Sequence, residues 1–222
     1  MKIWCISDTH MNHNTLVIPN GIDIVIHSGD STNFKNPILN KIEFDAFSDW
    51  FIKLNIKNKI LIAGNHDAWA LKKYNISKLK DNGIIYLENE YTEINNIKFY
   101  GSPITPVFGE WYFTVKKENL DKYWKHIEHV DILITHGPPK TILDLSYNID
   151  NELEFCGDKS LYNHIFNTIK PKYHVFGHIH NNEKIINQGI RIINDITFMN
   201  VSTVTDNQFN KGVSSNGLII EI

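Results

Sequence analysis

With 222 residues, 42% of them apolar and 21% charged, the chain has the composition of a globular domain of ordinary to large size, and a disordered or membrane-spanning protein is excluded. No apolar run approaches the roughly 18–20 residues of a membrane helix, and a net charge of -3 argues against a protein whose main work is gripping nucleic-acid backbone. Two cysteines, Cys5 and Cys156, make no disulfide framework; they read as reduced thiols of a cytoplasmic protein, and the apolar stretch Ile3 to Ile6 is too short for a signal peptide.

In chain order, short apolar runs each end in a polar turn. Ile3 to Ile6 leads into Ser7-Asp8-Thr9-His10, and Ile22 to Ile26 into His27-Ser28-Gly29-Asp30. Ile38 to Leu54 is apolar at Ile42, Phe44, Phe47, Trp50, Phe51 and Leu54, roughly helical spacing. Ile60 to Ile62 leads into Ala63-Gly64-Asn65-His66-Asp67. Tyr91 to Tyr100 alternates around Asn95-Asn96 and predicts a β-hairpin. Ile132 to Ile134 leads into Thr135-His136-Gly137-Pro138. Leu161, Ile165, Phe166 and Ile169 form a second helical stripe, with Asp158 as N-cap and Pro171 as stop. Val175-Phe176 leads into Gly177-His178-Ile179-His180. From Ile185 to Ile222 the chain is mostly strand-like, with turn signals at Gln188-Gly189 and Asn216-Gly217. Short β-branched runs read as buried strands. The pattern predicts an α/β protein with two sheets inside and helices outside; a single doubly wound sheet is the alternative. Ligands of open α/β sheets bind beyond the carboxyl ends of the strands, where all five turns sit.

Those turns carry the chemistry. Asp8 and His10 are two apart, as are His178 and His180, and in extended backbone such pairs share a side. Asp30 follows a glycine, where a carboxylate can approach two metals at once. Asn65 offers an amide oxygen and His136 another imidazole. Carboxylate, amide and imidazole without thiolate suit Mn, Fe, Zn, Ni or Co better than Cu(I) or Ca. Asp8-Thr9-His10 or Gly29-Asp30 alone is more often a capped loop, and His178-Ile179-His180 alone reads equally either way; all of them together read as one metal site. His13 and His27 read equally as partners of the ligands or as packing. His126, His129, His164 and His174 read as ordinary surface or core residues. Trp69 and Phe108-Gly109-Glu110-Trp111-Tyr112 read as core, or as the lining of a substrate pocket.

The order Asp8-Thr9-His10, Gly29-Asp30, Gly64-Asn65-His66-Asp67, His136 and Gly177-His178-Ile179-His180 resembles that of the calcineurin-like metallophosphoesterase superfamily, over residues 3 to 180. His13, His27-Ser28-Gly29-Asp30-Ser31-Thr32, Thr135-His136-Gly137-Pro138-Pro139 with Asp144, Cys156-Gly157 and Pro171 to His180 narrow the resemblance. They resemble the small metallophosphoesterase-domain branch related to class III cyclic-nucleotide phosphodiesterases. The resemblance implies a four-layer α/β/β/α sandwich of two central mixed sheets flanked by helices, as one metallophosphoesterase domain over residues 1–222. It implies two divalent metal ions: Asp8, His10 and His180 on the first, Asn65, His136 and His178 on the second, Asp30 bridging. His66 would protonate the leaving oxygen or stabilise its charge; Asp67 would orient His66 or serve only the turn. The implied reaction is hydrolysis of small nucleotide-type phosphodiesters, cyclic ones included, by a metal-bridging hydroxide. The partner is then a small-molecule phosphoester, with no membrane, no nucleic-acid polymer and nothing that demands a dimer. The rival readings are a nuclease, which would need a basic track, a phosphomonoesterase on the same site, and a non-catalytic nucleotide- or protein-binding scaffold.

Overall fold

A computed structural model of the chain describes residues 1–148, 150–206 and 212–222. The first half runs β1 (Lys2–Ile6), β2 (Ile24–Ser28), α1 (Pro37–Lys53), β3 (Asn58–Ile62), α2 (Lys73–Asp81), β4 (Ile84–Tyr86), β5 (Glu90–Ile94) and β6 (Ile97–Ser102). Next come the two-residue strands β7 (Thr105–Pro106) and β8 (Thr114–Val115), then α3 (Asp121–Trp124), β9 (Ile132–Thr135), β10 (Leu145–Tyr147) and β11 (Leu153–Phe155). The chain ends with α4 (Lys159–His164), β12 (Tyr173–Phe176), β13 (Gly189–Ile193), β14 (Ile196–Asn200) and β15 (Leu218–Glu221). One sheet has the order β15-β1-β2-β3-β4, the other β13-β14-β12-β9-β6-β5. In each sheet the central pairs are parallel, and β15, β13 and β5 join as antiparallel edges.

Alternation along the strands sets the layers. In β1, Ile3 and Cys5 point between the sheets while Trp4 and Ile6 point outward. Ile24, Ile26, Ile60 and Ile62 join the inner slab and meet Phe99, Ile132, Ile134, Val175 and Met199 of the other sheet. Outside the first sheet, Trp4, Val25 and Leu61 pack with Phe44, Phe47 and Phe51 of α1 and Leu79 of α2. Outside the second, Leu133, Phe176 and Phe198 pack with Trp124 of α3, Leu161 of α4 and Ile165 and Ile169 just beyond it. The fold is the four-layer α/β/β/α sandwich, and two sheets rather than one doubly wound sheet fill its centre.

Local chemistry explains most boundaries. Asn36 caps α1 by accepting from the Ile38 and Leu39 N–H groups, and Pro37 takes the first helical position. Asp158 caps α4 as predicted, accepting from Ser160 N–H; the helix then widens into a π turn over Ile165–Ile169 before Pro171. Asn95 and Asn96 both take positive φ (52° and 61°), the turn that a two-residue hairpin demands. Three details differ from expectation. Ile42 is 63% exposed, outside the buried face of α1. The short, lysine-rich α2 gave no sequence signal. The hairpin β13–β14 turns at Asn194-Asp195, not at Gln188-Gly189. Part of the strand-like reading of the last third, residues 207–211, lies outside the described residues.

The carboxyl ends of β1, β2, β3, β9 and β12 carry the five motif turns. There the sheets are stitched together: Ser7 N–H donates to Val201 C=O (3.1 Å), Thr203 N–H to Ser7 C=O (2.9 Å) and His136 Nδ1 meets Ser28 C=O (2.9 Å).

Candidate metal centre

That stitching puts the first sheet's carboxylates against the second sheet's histidines. The Asp8 carboxylate accepts from His178 N–H (3.0 and 3.1 Å) and the Ser202 hydroxyl (3.0 Å), and lies 3.0 Å from His180 Nε2. Asp30 Oδ1 accepts from His66 N–H at 2.8 Å. Its Oδ2 lies 3.4 Å from His136 Nε2, 3.7 Å from His10 Nε2 and 4.0 Å from His66 Nε2. Asn65 Oδ1 is 2.9 Å from His136 Nε2. In four of these histidines the other ring nitrogen is held; for His136 it is the Nδ1 contact with Ser28 C=O. His10 Nδ1 meets Thr32 C=O (3.1 Å), His66 Nδ1 meets Asn33 C=O (2.9 Å) and His180 Nδ1 meets Asp206 (3.3 Å).

All seven predicted ligand residues thus converge. Ligand atoms of Asp8, His10 and His180 lie within 4.8 Å of one another, as do those of Asp30, His136 and His178, and those of His10, Asp30 and His66. Asp30 belongs to two of these groups.

Charge makes the arrangement demanding. Burial disfavours ionised Asp8 and Asp30, yet His180 beside the first and His136 beside the second hold both carboxyls well below their ordinary range. Burial likewise opposes charge on His136 and His180, but Asp30 raises the former to about 9 and Asp8 the latter to about 10. His10 and His178, where burial dominates, fall to about 4 and about 3. With His136 Nδ1–H given to Ser28, its neutral Nε2 would turn a lone pair toward the Asn65 oxygen and Asp30 Oδ2. Donor atoms facing one another need positive charge between them. Oxygen and nitrogen donors without thiolate make a divalent cation fit that place. Close backbone approach leaves the room: a Cβ at Gly64 would sit 2.2 Å from Asp30 Oδ1, and one at Gly177 2.0 Å from Asp8 Oδ2.

Residues 1–182 match the family described as calcineurin-like phosphoesterase. The chain belongs to the calcineurin-like phosphoesterase family. Among individual relatives, human metallophosphoesterase domain-containing protein 1 is 32% identical over 231 residues, covering 93% of this chain and 67% of the relative. A UPF0046 protein of Caenorhabditis elegans is 33% identical over 222 residues, covering 91% and 75%. A solved structure characterised as a novel archaeal phosphodiesterase aligns over 100% of this chain and 99% of its own, with 16% identity and a TM-score of 0.48. In a member of this phosphoesterase family the His/Asp cluster is suited to divalent-metal binding, and the chemistry is that of a phosphoester hydrolase.

The remaining expectations divide. Asp67 does not touch the His66 ring; its buried carboxylate accepts from Gly64 N–H, Ser31 N–H and Oγ, and Thr32 N–H and Oγ1, so it ties the Asp30 turn to the Asn65 turn. Trp69 is core, stacked on Phe44 at 4.5 Å. Residues 108–112 do border the centre: the Trp111 ring lies 4.1 Å from that of His66 and the Phe108 ring 5.0 Å from that of His178. His27 supports the Asp8 turn through Thr9 Oγ1 (3.0 Å), whereas His13 packs between Phe47 and Trp50. His174 is core, His126 and His129 are exposed, and His164 pairs with Asp121 (2.8 Å). Sequence reasoning missed Ser202, which donates to Asp8. Its signal was available, because Ser202-Thr203 closes an apolar strand as the other turns do.

Proposed function

We propose that the chain is a phosphodiesterase that hydrolyses small nucleotide-type phosphodiesters, cyclic ones included, on a two-metal centre, with residues 1–222 acting as one domain in the cytoplasm. The observation that carries this reading is the sharing of Asp30 by two ligand groups, the arrangement a bridging carboxylate requires. Asp8, His10 and His180 would hold one ion, and Asn65, His136 and His178 the other. Two divalent ions (Mn, Fe, Zn, Ni or Co) would supply Lewis acidity toward phosphate oxygens and acidify a water. Every other contribution is the chain's own. His66, its Nδ1 held by Asn33, presents Nε2 to the site and would hold the proton that the leaving oxygen takes. Trp111 lies against that imidazole, ring centroids 4.1 Å apart, and limits how the ring can turn. Asp67, Thr32 and Asn40 hold the loop from which His66 projects, since Thr32 Oγ1 and Asn40 Nδ2 both donate to the His66 carbonyl (3.1 and 2.8 Å). No helix of the described residues is long and apolar enough to cross a membrane. Cys5 and Cys156 are both free thiols, which supports the cytoplasmic setting.

The test is hydrolysis of bis(p-nitrophenyl) phosphate and p-nitrophenyl phosphate with Mn²⁺ or chelator, alongside a panel of cyclic nucleotides, in wild type and Asp30→Ala. Metal-stimulated diester cleavage that Asp30→Ala abolishes is expected. A folded wild type that cleaves no diester in any of the five metals would overturn the reading.

A further inference from the structure

One loop reaches over the centre. It leaves β7 and returns at β8, and its tip carries Phe108 and Trp111. The two rings meet different flanks of Asp30: Trp111 lies on His66, which groups with His10 and Asp30, and Phe108 lies on His178, which groups with His136 and Asp30. The loop is pinned rather than draped. Tyr112 N–H donates to Asn65 C=O (3.2 Å), Tyr112 Oη to Lys35 C=O (3.0 Å) and Thr114 Oγ1 to Trp111 C=O (3.0 Å). Phe113 is held at a positive φ of 56°.

The two rings are not equivalent. Trp111 has His66 against it and Lys35 Nζ 5.5 Å over its ring, so it is occupied, and it positions His66. Phe108 meets His178 at 57° between planes and is 42% exposed. An exposed phenyl ring fixed beside a ligand histidine adds little to the core, but it offers a substrate a flat apolar surface.

We propose that Phe108 is a specificity-determining residue that stacks on a planar group carried by the retained ester oxygen, so that the preferred substrate is a diester whose non-leaving substituent is aromatic, a nucleobase or an aryl ring. This rests on the phosphodiesterase reading above. His66 serves the leaving oxygen on its own flank, the apical position opposite it belongs to the attacking oxygen, and the retained ester oxygen is equatorial, from where its substituent can reach the His178 flank on which Phe108 stands. A monoester has no such substituent and gains nothing from the ring. Aromatic stacking accepts any flat π face, which makes the selection one of shape rather than of base identity.

The experiment compares kcat/KM for bis(p-nitrophenyl) phosphate and methyl p-nitrophenyl phosphate, which release the same phenolate and differ only in the retained group, in the Mn²⁺-loaded enzyme. The intrinsic reactivity difference cancels when the ratio for Phe108→Ala is divided by that for wild type. That quotient is expected to fall about five- to tenfold, and Phe108→Trp is expected to hold the wild-type ratio. An unchanged ratio in Phe108→Ala, with wild type active on both diesters, overturns the inference alone. A wild type that cleaves neither diester, while p-nitrophenyl phosphate is turned over or not, overturns the phosphodiesterase reading and this inference with it.

Discussion

Asp8, His10, Asp30 and His178 all have positive φ, at 52°, 40°, 56° and 71°. Non-glycine residues rarely adopt that region, and each such residue costs on the order of 1 kcal/mol or more. The surrounding hydrogen bonds hold these four there, and the positive-φ residues elsewhere, among them Asn95-Asn96 and Asn194-Asp195, lie largely in turns. All seven residues that converge were named from the sequence, but the backbone brings them together by another route than the one expected. The pairs Asp8/His10 and His178/His180 do not share a side of an extended strand; left-handed backbone at Asp8, His10 and His178 turns the chain there, and residue type does not encode that. Nor could spacing separate Asp67's role from that of His66 beside it. With its carboxylate spent on the Ser31, Thr32 and Gly64 donors, Asp67→Ala is expected to destabilise the fold by about 3 kcal/mol. Urea denaturation would read this, and a variant that lost activity at undiminished stability would restore a catalytic role. Gly177→Ala places a methyl group where Asp8 Oδ2 and Ser7 Oγ now lie, 2.0 and 2.2 Å away. Its Mn²⁺ requirement is expected to rise about 10–100-fold, the usual cost of displacing a ligand's support, and an unchanged Mn²⁺ titration would show that Asp8 accommodates the methyl.

Among the elements, strands ending in motif turns were legible because β-branched runs and a polar close leave few alternatives. Helices were harder. The stripe assigned to α1 counted Ile42 with Phe44, Phe47 and Phe51, but a helix shows its neighbour one face at a time. Asn40, Glu43, Phe44, Phe47, Ser48 and Phe51 are the buried face, and Ile42 falls outside it. Three polar residues on that face, Asn40, Glu43 and Ser48, explain the misreading. Asn40 Nδ2 donates to the Phe34, Thr32 and His66 oxygens, and Glu43 accepts from the Asn33 and Phe34 N–H groups, so the helix binds the Asp30 loop through polarity as well as packing. Phe44→Ala is therefore expected to cost about 3–5 kcal/mol, whereas Ile42→Lys should stay within about 0.5 kcal/mol of wild type. Paired denaturation curves decide it, and equal losses would return Ile42 to the core. The helix α2 escaped notice because only Leu79 of its nine residues is a fully buried apolar side chain, too little to draw a stripe.

Across the whole molecule, the layered architecture followed from apolar runs on both sides of every central strand, while the strand orders, with β15 returning beside β1, are set by tertiary pairing that no local pattern records. The same layering buries histidines that belong to none of the His/Asp groups. His174 sits in β12 between Phe176 and Phe198, with Nε2 2.8 Å from Thr135 Oγ1, and His13 packs against Phe47 and Trp50 in the opposite outer slab. Burial lowers His174 to about 3 and His13 to about 4, so both are neutral in the folded chain near neutral pH. In the unfolded chain each titrates near 6.5. Below that value the unfolded state binds the extra proton, and the folded state does not until far lower pH. The stability these residues confer is thus complete above about 6.5 and is lost as pH falls from there toward 4 and then 3, by at most about 1.4 kcal/mol per pH unit for each histidine. Replacing His174 by Phe removes one such proton. Urea denaturation in the presence of chelator at pH 7, 6 and 5 should show the variant least favoured at pH 7, where it gives up the Thr135 hydrogen bond. Relative to wild type it should gain about 1.2 kcal/mol between pH 6 and pH 5. Parallel stability–pH curves would mean that His174 is protonated in the folded state, and that the second sheet's outer slab is open to water at this position.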